Sequence, residues 1–251
     1  MDTDAVAAHR GSVVADTEQD ISRLLVSVGV ALMYPGAVNT AIGASDQSWR
    51  EFAAHWDELG EDPYAAELGT RRRRRYGHVL FRDGTLTPRP HDSFVQPGNS
   101  NPLYVGRERH FQPLTDAFTT DGLLGALLNM LARAATVLEE RAEFSVKITP
   151  FRVEATAEFP GHPAPEGVHR DGVTLVSTLL VSRRNAVGGQ TSVFDMKGNR
   201  VVKTTLSQPG ALLIADDRAT LHAVSPIYPA DPRQPATRDV LVITFAPPST
   251  R

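Results

Sequence analysis

From Ser145 onward the chain is built of short β-rich runs, and this rhythm restricts its fold more than any other feature. The runs SVKITPFRVEA, GVTLVSTLLV, GQTSVFD, RVVKTTL, ALLIAD, TLHAVSPI and DVLVITFA are separated by glycine, proline, asparagine and aspartate turn signals. Alternating β-α units would put helical periodicity between them, and none is there. The expected architecture of this half is therefore an antiparallel sandwich or barrel.

A double-stranded β-helix, the cupin-like jelly-roll, accommodates this number of strands and places ligands at its mouth. The first half reads differently. From Asp20 to Leu32 the apolar residues Ile21, Leu24, Leu25, Val28 and Val30 predict a short helix leading into the strand GVALMYPG. A second helix is expected over 46–59, with Trp49, Phe52, Ala53 and Trp56 at helical spacing and both tryptophans as core anchors. The segment from Tyr76 to Phe94 alternates weakly and carries Pro88 and Pro90, which suits strands broken by turns. A longer helix over 120–143 follows, capped by Thr120 or Asp121, with an apolar stripe through Leu124, Leu127, Leu128, Leu131 and Val137. The fold class expected is mainly β: a helical buttress to about residue 143, then a jelly-roll core over about 144–247. At 251 residues one domain over 18–251 is the simpler reading, with residues 1–17 as a flexible N-terminal tail.

A charged content of 22% and a formal charge of -3 leave no global basic excess to suggest nucleic acid as partner. The run Arg71 to Arg75 is locally basic, but Asp57, Glu58, Glu61, Asp62 and Glu67 lie just upstream. A mixed-charge surface or an anionic-substrate role is favoured, because steering of a polyanion needs a wider unopposed field. The chain has no cysteine, which excludes disulfides and cysteine nucleophiles and suits a reducing cytoplasm. No segment is expected to span a membrane, and the N-terminus has no apolar core of a secretory signal. These features suit a cytoplasmic protein with neither nucleic acid nor membrane as partner.

Within PEGVHRDG, Pro165 to Gly172, stands a His-x-Asp pair. In extended backbone, side chains two apart point to one face, so His169 and Asp171 converge, and His222 in a later run can complete the set. Two imidazoles and a carboxylate on one face of an octahedral ion leave three positions open, the arrangement of non-haem Fe(II) oxygenases. A closed zinc site would use four protein ligands, usually with thiolates. The plain alternative is that His169 and His222 are unrelated polar residues at strand ends. Arg238, at the entry to the strand ending at Phe245, is a candidate bidentate partner for a carboxylate in the same cavity; a surface pair with Asp239 or Asp217 is the alternative.

PEGVHRDG, SRRNAVGGQTSVFD, DDRATLHAVSPI and TRDVLVITF resemble the 2-oxoglutarate/Fe(II)-dependent dioxygenases grouped with bacterial L-isoleucine 4-hydroxylase. The likeness is strongest over 145–246, and FAAHWDELGEDPY, RRYG and HDSFVQPGNSNPLYVGRERHFQPL extend it into the N-terminal half. The resemblance implies Fe(II), with 2-oxoglutarate and O2 as co-substrates, and oxidation of an aliphatic carbon in a free amino acid with release of succinate and CO2. It implies His169, Asp171 and His222 as iron ligands and Arg238 as the partner of the distal 2-oxoglutarate carboxylate. The aspartate is kept, whereas related halogenases put a small residue there, so hydroxylation is the expected outcome. Oxidative cyclisation or desaturation of an amino acid is an alternative chemistry, and a cupin-like non-catalytic binding module an alternative class.

Arg74, Arg75, Gln96, Asn101, Arg109 and Arg152 are candidates for holding the amino acid carboxylate or its polar groups. Glu166 and Asp217 are candidate acceptors for the ammonium or for a ligand histidine.

Overall fold

The computed structural model of the protein describes residues 12–67, 69–90, 94–95 and 106–248. Helix α1 (Glu18–Val28) is capped by Thr17, whose hydroxyl accepts from the Asp20 amide, and stops at Gly29, held at φ 80. That left-handed turn, cheap only for glycine, feeds the chain directly into β1 (Val30–Met33). The tail expected over 1–17 is already anchored before α1. The Leu32 amide donates to the Val13 carbonyl, the Ala15 amide donates to the Leu32 carbonyl, and Ala15 is fully buried. Residues 1–11 lie outside the described residues.

The predicted strand GVALMYPG ends at Met33, because Tyr34 caps and Pro35 opens a helix, α2 (Pro35–Ile42). A reciprocal cap between Ser45 and Ser48 then starts α3 (Asp46–Ala54), which tightens into a 3₁₀ turn over His55–Glu58. Trp56 is fully buried and donates to the Phe151 carbonyl, whereas Trp49 is only half-buried and donates to Asn39. Short elements follow: β2 (Gly60–Glu61), α4 (Pro63–Ala66), β3 (Arg71–Arg74), β4 (Gly77–Arg82), β5 (Thr85–Pro88), β6 (Phe94–Val95), β7 (Glu108–Arg109) and α5 (Asp116–Thr119). Helix α6 (Gly122–Glu139) is capped by Asp121, as its sequence predicts. Val137 departs from the predicted stripe and is 42% exposed. By length and composition α6 is apolar enough to cross a membrane, contrary to expectation. In this fold its apolar face, Leu124, Leu127, Leu128 and Leu131, packs into the core with α1, α2 and α3.

The second half supplies β8 (Glu143–Ala155), β9 (Leu175–Arg184), β10 (Ala186–Gly188), β11 (Gln190–Asp195), β12 (Arg200–Thr205), β13 (Leu212–Asp216), β14 (Thr220–Val224), β15 (Ile227–Pro229) and β16 (Ala236–Ala246). A nine-stranded sheet runs β1-β13-β9-β16-β8-β3-β2, with β4 also on β8 and β5 on β4. Its central strands pair antiparallel. The smaller sheet, β12-β11-β14, completes the jelly-roll. Alternation distributes the two cores. Ala31, Leu179, Leu241 and Ile243 face the helices, while Val30, Val176, Leu180 and Val240 pack with Val193 and Val202 of the small sheet. Burial on both faces is why β9 and β16 read as nearly unbroken apolar runs.

Candidate active site

His169 and His222 exchange both hydrogen bonds of an isolated antiparallel bridge, at 3.0 and 2.8 Å, so their side chains leave on one face. The ring centroids are 4.4 Å apart. Asp171 completes the set, its two oxygens each 3.9 Å from one histidine Nε2. The potential ligand atoms all lie within 4.8 Å of one another, and this is the one such group found among the described residues.

The surroundings orient these groups. His169 Nδ1 lies 3.0 Å from the Gly167 carbonyl, which can only accept, so Nδ1 carries the proton and Nε2 keeps its lone pair. Asp217 is wholly buried and accepts the backbone amides of Asp171, Gly172 and Val173 at 3.0, 2.7 and 3.0 Å. This clasp fixes the turn that presents Asp171. Asp217 Oδ1 also stands 3.9 Å from His222 Nδ1, which has no hydrogen-bond partner among the described residues. Burial raises the Asp217 pKa, the charge of Asp171 adds to it, and the backbone hydrogen bonds and His222 oppose. Burial lowers that of His222 against the pull of Asp171. Two crowded carboxylates beside two imidazole nitrogens suit a divalent cation, and a His, Asp, His set without thiolate fits Fe(II).

The triad opens on a cavity of about 290 Å³ lined by residues of β8, β9, β14 and β16, with Arg72 and Arg74 of β3 and Arg109 of β7. Arg238 lines it and is 1% exposed; its Nε and Nη2 have no hydrogen-bond partner among the described residues. Burial first, and the neighbouring charge of Arg183 second, push its pKa down to about 10. An unbalanced buried cation is expensive, so this end of the cavity is prepared for an anion. The surface-pair alternative fails. Asp239 points to the opposite face and binds Arg152 through two hydrogen bonds, and Asp217 is taken up by backbone amides.

The arginine run is a strand whose alternation splits it: Arg71 and Arg73 are exposed, while Arg72 and Arg74 are buried and line the cavity. Arg72 pairs with the buried Asp62 at 2.9 Å. Arg74 stacks 3.7 Å from the Phe111 ring centroid and 4.7 Å from that of Phe151, and burial holds its pKa well below the usual arginine value. A period-2 reading of five identical residues was the signal that would have separated them. Arg109 and Glu166 also line the cavity.

Other expectations are corrected. Arg75 turns away and donates to the carbonyls of Glu58 and Pro113. Arg152 lies on the outer face of β8, bound to Asp239 and within 3.3 Å of Asp57, because the cavity takes Lys147, Thr149, Phe151 and Val153 from that strand. Gln96 and Asn101 lie outside the described residues. Lys147 lines the cavity as well; burial lowers its pKa, and its place in the alternation of SVKIT was its only signal in the sequence.

Comparison with known proteins agrees with this geometry. The profile of the 2OG-Fe dioxygenase family matches residues 53–244. A 3(1)-hydroxy-L-isoleucine 4-dioxygenase from Pantoea ananatis is 26% identical over 200 residues, 78% of this chain and 79% of that one. A bsmA homologue from Methylobium petroleophilum superposes with a TM-score of 0.84 at 32% identity, covering 92% of this chain and 93% of its own. IDO from Bacillus thuringiensis shares the fold, with a TM-score of 0.74 at 18% identity over 96% and 98% of the two chains. The chain belongs to the family of 2OG-Fe dioxygenases, which use Fe(II), 2-oxoglutarate and O2.

Proposed function

We propose that the protein hydroxylates an aliphatic carbon of a free amino acid while 2-oxoglutarate is converted to succinate and CO2. One observation carries this reading: a single cavity brings the His169, Asp171, His222 set together with a buried, unbalanced Arg238 and with charged residues of both signs, Arg74, Arg109 and Glu166. The relative from Pantoea ananatis supports it, being by its name a dioxygenase of an amino acid.

In this reading His169, Asp171 and His222 hold Fe(II), and Arg238 holds the remote carboxylate of 2-oxoglutarate. When bound, iron with 2-oxoglutarate and O2 supplies the oxidising power needed to break an unactivated C–H bond. The chain supplies position. Gly167 keeps the His169 proton on Nδ1, and Asp217 keeps Asp171 in place through its backbone. Arg74 and Arg109 offer hydrogen bonds to the substrate carboxylate, and Glu166 accepts from its ammonium group. Val176, Val240 and Val242 line the space left for an aliphatic side chain and exclude water. A cytoplasmic setting suits the cysteine-free chain.

A zwitterion buried beside a metal needs both charges balanced. A responsive free amino acid is therefore compared with its N-acetyl and amide derivatives, measuring product and succinate together. Turnover confined to the free form, with a product that has gained one oxygen atom, is expected. Equal or faster product formation from the masked forms would overturn the assignment.

A further inference from the structure

Arg183, near the end of β9, stands directly opposite Arg238 in the antiparallel register of β9 and β16. Directly opposed residues share one face of the sheet, with Cβ atoms about 4.5–5.5 Å apart, and like charges in that relation repel. Neither guanidinium forms an ion pair with a carboxylate of the described residues. Nη1 of Arg183, like Nε and Nη2 of Arg238, is shut off from solvent without a hydrogen-bond partner among them.

Arg183 is held in this position by its other nitrogens. Its Nε donates to the Ala186 carbonyl at 3.1 Å and its Nη2 to the Gly188 carbonyl at 2.8 Å, which leaves Nη1 as the spare donor. Gly189 lies between the two arginines at φ +64. A Cβ there would come 3.1 Å from Arg183 Nη1 and 3.3 Å from Arg238 Cδ. The glycine thus leaves room for both guanidiniums, and Asp239, the acid next to Arg238 in sequence, faces away to Arg152. Arg238 is buried and Arg183 half-buried with its Nη1 shielded, and a buried cation with a second positive charge beside it is costly unless an anion offsets them.

We propose that Arg183 is a second determinant of cosubstrate choice: standing beside Arg238 and outside the cavity lining, it adds its positive charge to the field at that end and so favours a 2-oxo acid carrying a remote carboxylate over one with an uncharged tail. This rests on Arg238 being the cosubstrate anchor. A unit charge about 6–12 Å from a carboxylate, at an effective dielectric of about 20, changes affinity by roughly tenfold to a hundredfold.

The test is anaerobic calorimetric titration of the Fe(II)-loaded protein with 2-oxoglutarate and with 2-oxovalerate, which has a methyl group in place of the remote carboxylate. Arg183→Gln, Arg183→Lys and Arg238→Gln are compared with the unaltered chain. Arg183→Gln is expected to weaken 2-oxoglutarate roughly tenfold to a hundredfold while leaving 2-oxovalerate unchanged, and Arg183→Lys to keep most of the preference. Equal weakening of both acids, or none, would overturn the proposal, since a purely structural arginine does not distinguish them. If only Arg238→Gln abolishes the preference, Arg183 is excluded and the anchor stands; if neither variant does, the anchor assignment itself falls. Should Arg183→Gln not fold, the lysine variant decides, and a folded Arg183→Lys without preference for 2-oxoglutarate contradicts a role for the charge.

Discussion

His169 and His222 are joined by a two-hydrogen-bond bridge although β9 through β13 lie between them in the chain. The backbone, and not the metal, therefore sets the spacing of the two imidazoles, and Asp217 does the same for Asp171 through three amides. Such a set is prepared before an ion arrives.

Replacing His169, Asp171 or His222 by alanine is expected to abolish Fe(II) binding in anaerobic equilibrium dialysis while the thermal melt stays cooperative, since the bridge and the clasp use backbone atoms. A His222→Ala protein that retained the metal at unchanged affinity would remove that residue from the site.

Asp217→Asn keeps one acceptor oxygen where the carboxylate offers two. The expected result is about a 10–100-fold loss of Fe(II) affinity, the size seen when groups behind a ligand are altered. Loss of charge-assisted bonds to the 171–173 turn also lowers stability by about 1.5–3 kcal/mol in urea unfolding. Unchanged metal affinity would show that the clasp does not position Asp171.

Arg238→Met is expected to weaken 2-oxoglutarate by about 2–5 kcal/mol, the usual loss when a buried carboxylate loses its cation. Calorimetric titration checks this. Full affinity in that variant would move the anchor elsewhere. Arg218 and Arg152 are poor substitutes, being paired with Asp216 and Glu139 and with Asp239.

Arg152→Ala separates packing from substrate binding. It strands Asp239, which is 2% exposed, and breaking such a pair costs about 3–5 kcal/mol, toward the lower figure here because Arg152 itself is partly exposed. A lower melting temperature with unchanged KM for the amino acid is expected. Normal stability with a raised KM would return Arg152 to the site.

Much of this was legible in the sequence. The jelly-roll follows from the turn-separated runs after Ser145, and the triad from His169, Asp171 and the later His222. What stayed hidden depends on facing. Arg152 and Lys147 sit on one strand in opposite orientations, and only the register against β16 and β3 decides which enters the cavity. Arg75 lies one residue beyond β3, where the alternation that buries Arg74 stops. Helix α2 was missed because Pro35 reads equally well as a strand terminator and as a helix start. The Arg183 and Arg238 relation is likewise a property of register, invisible when the two residues stand far apart in the chain.

The most direct test is succinate release from 2-oxoglutarate across a panel of free amino acids, with and without Fe(II), and with mass detection of each product. The expected result is that at least one amino acid raises iron-dependent succinate formation and yields an equal amount of product with one added oxygen atom. Iron-dependent succinate formation that no free amino acid stimulates or couples to product would contradict the proposed function.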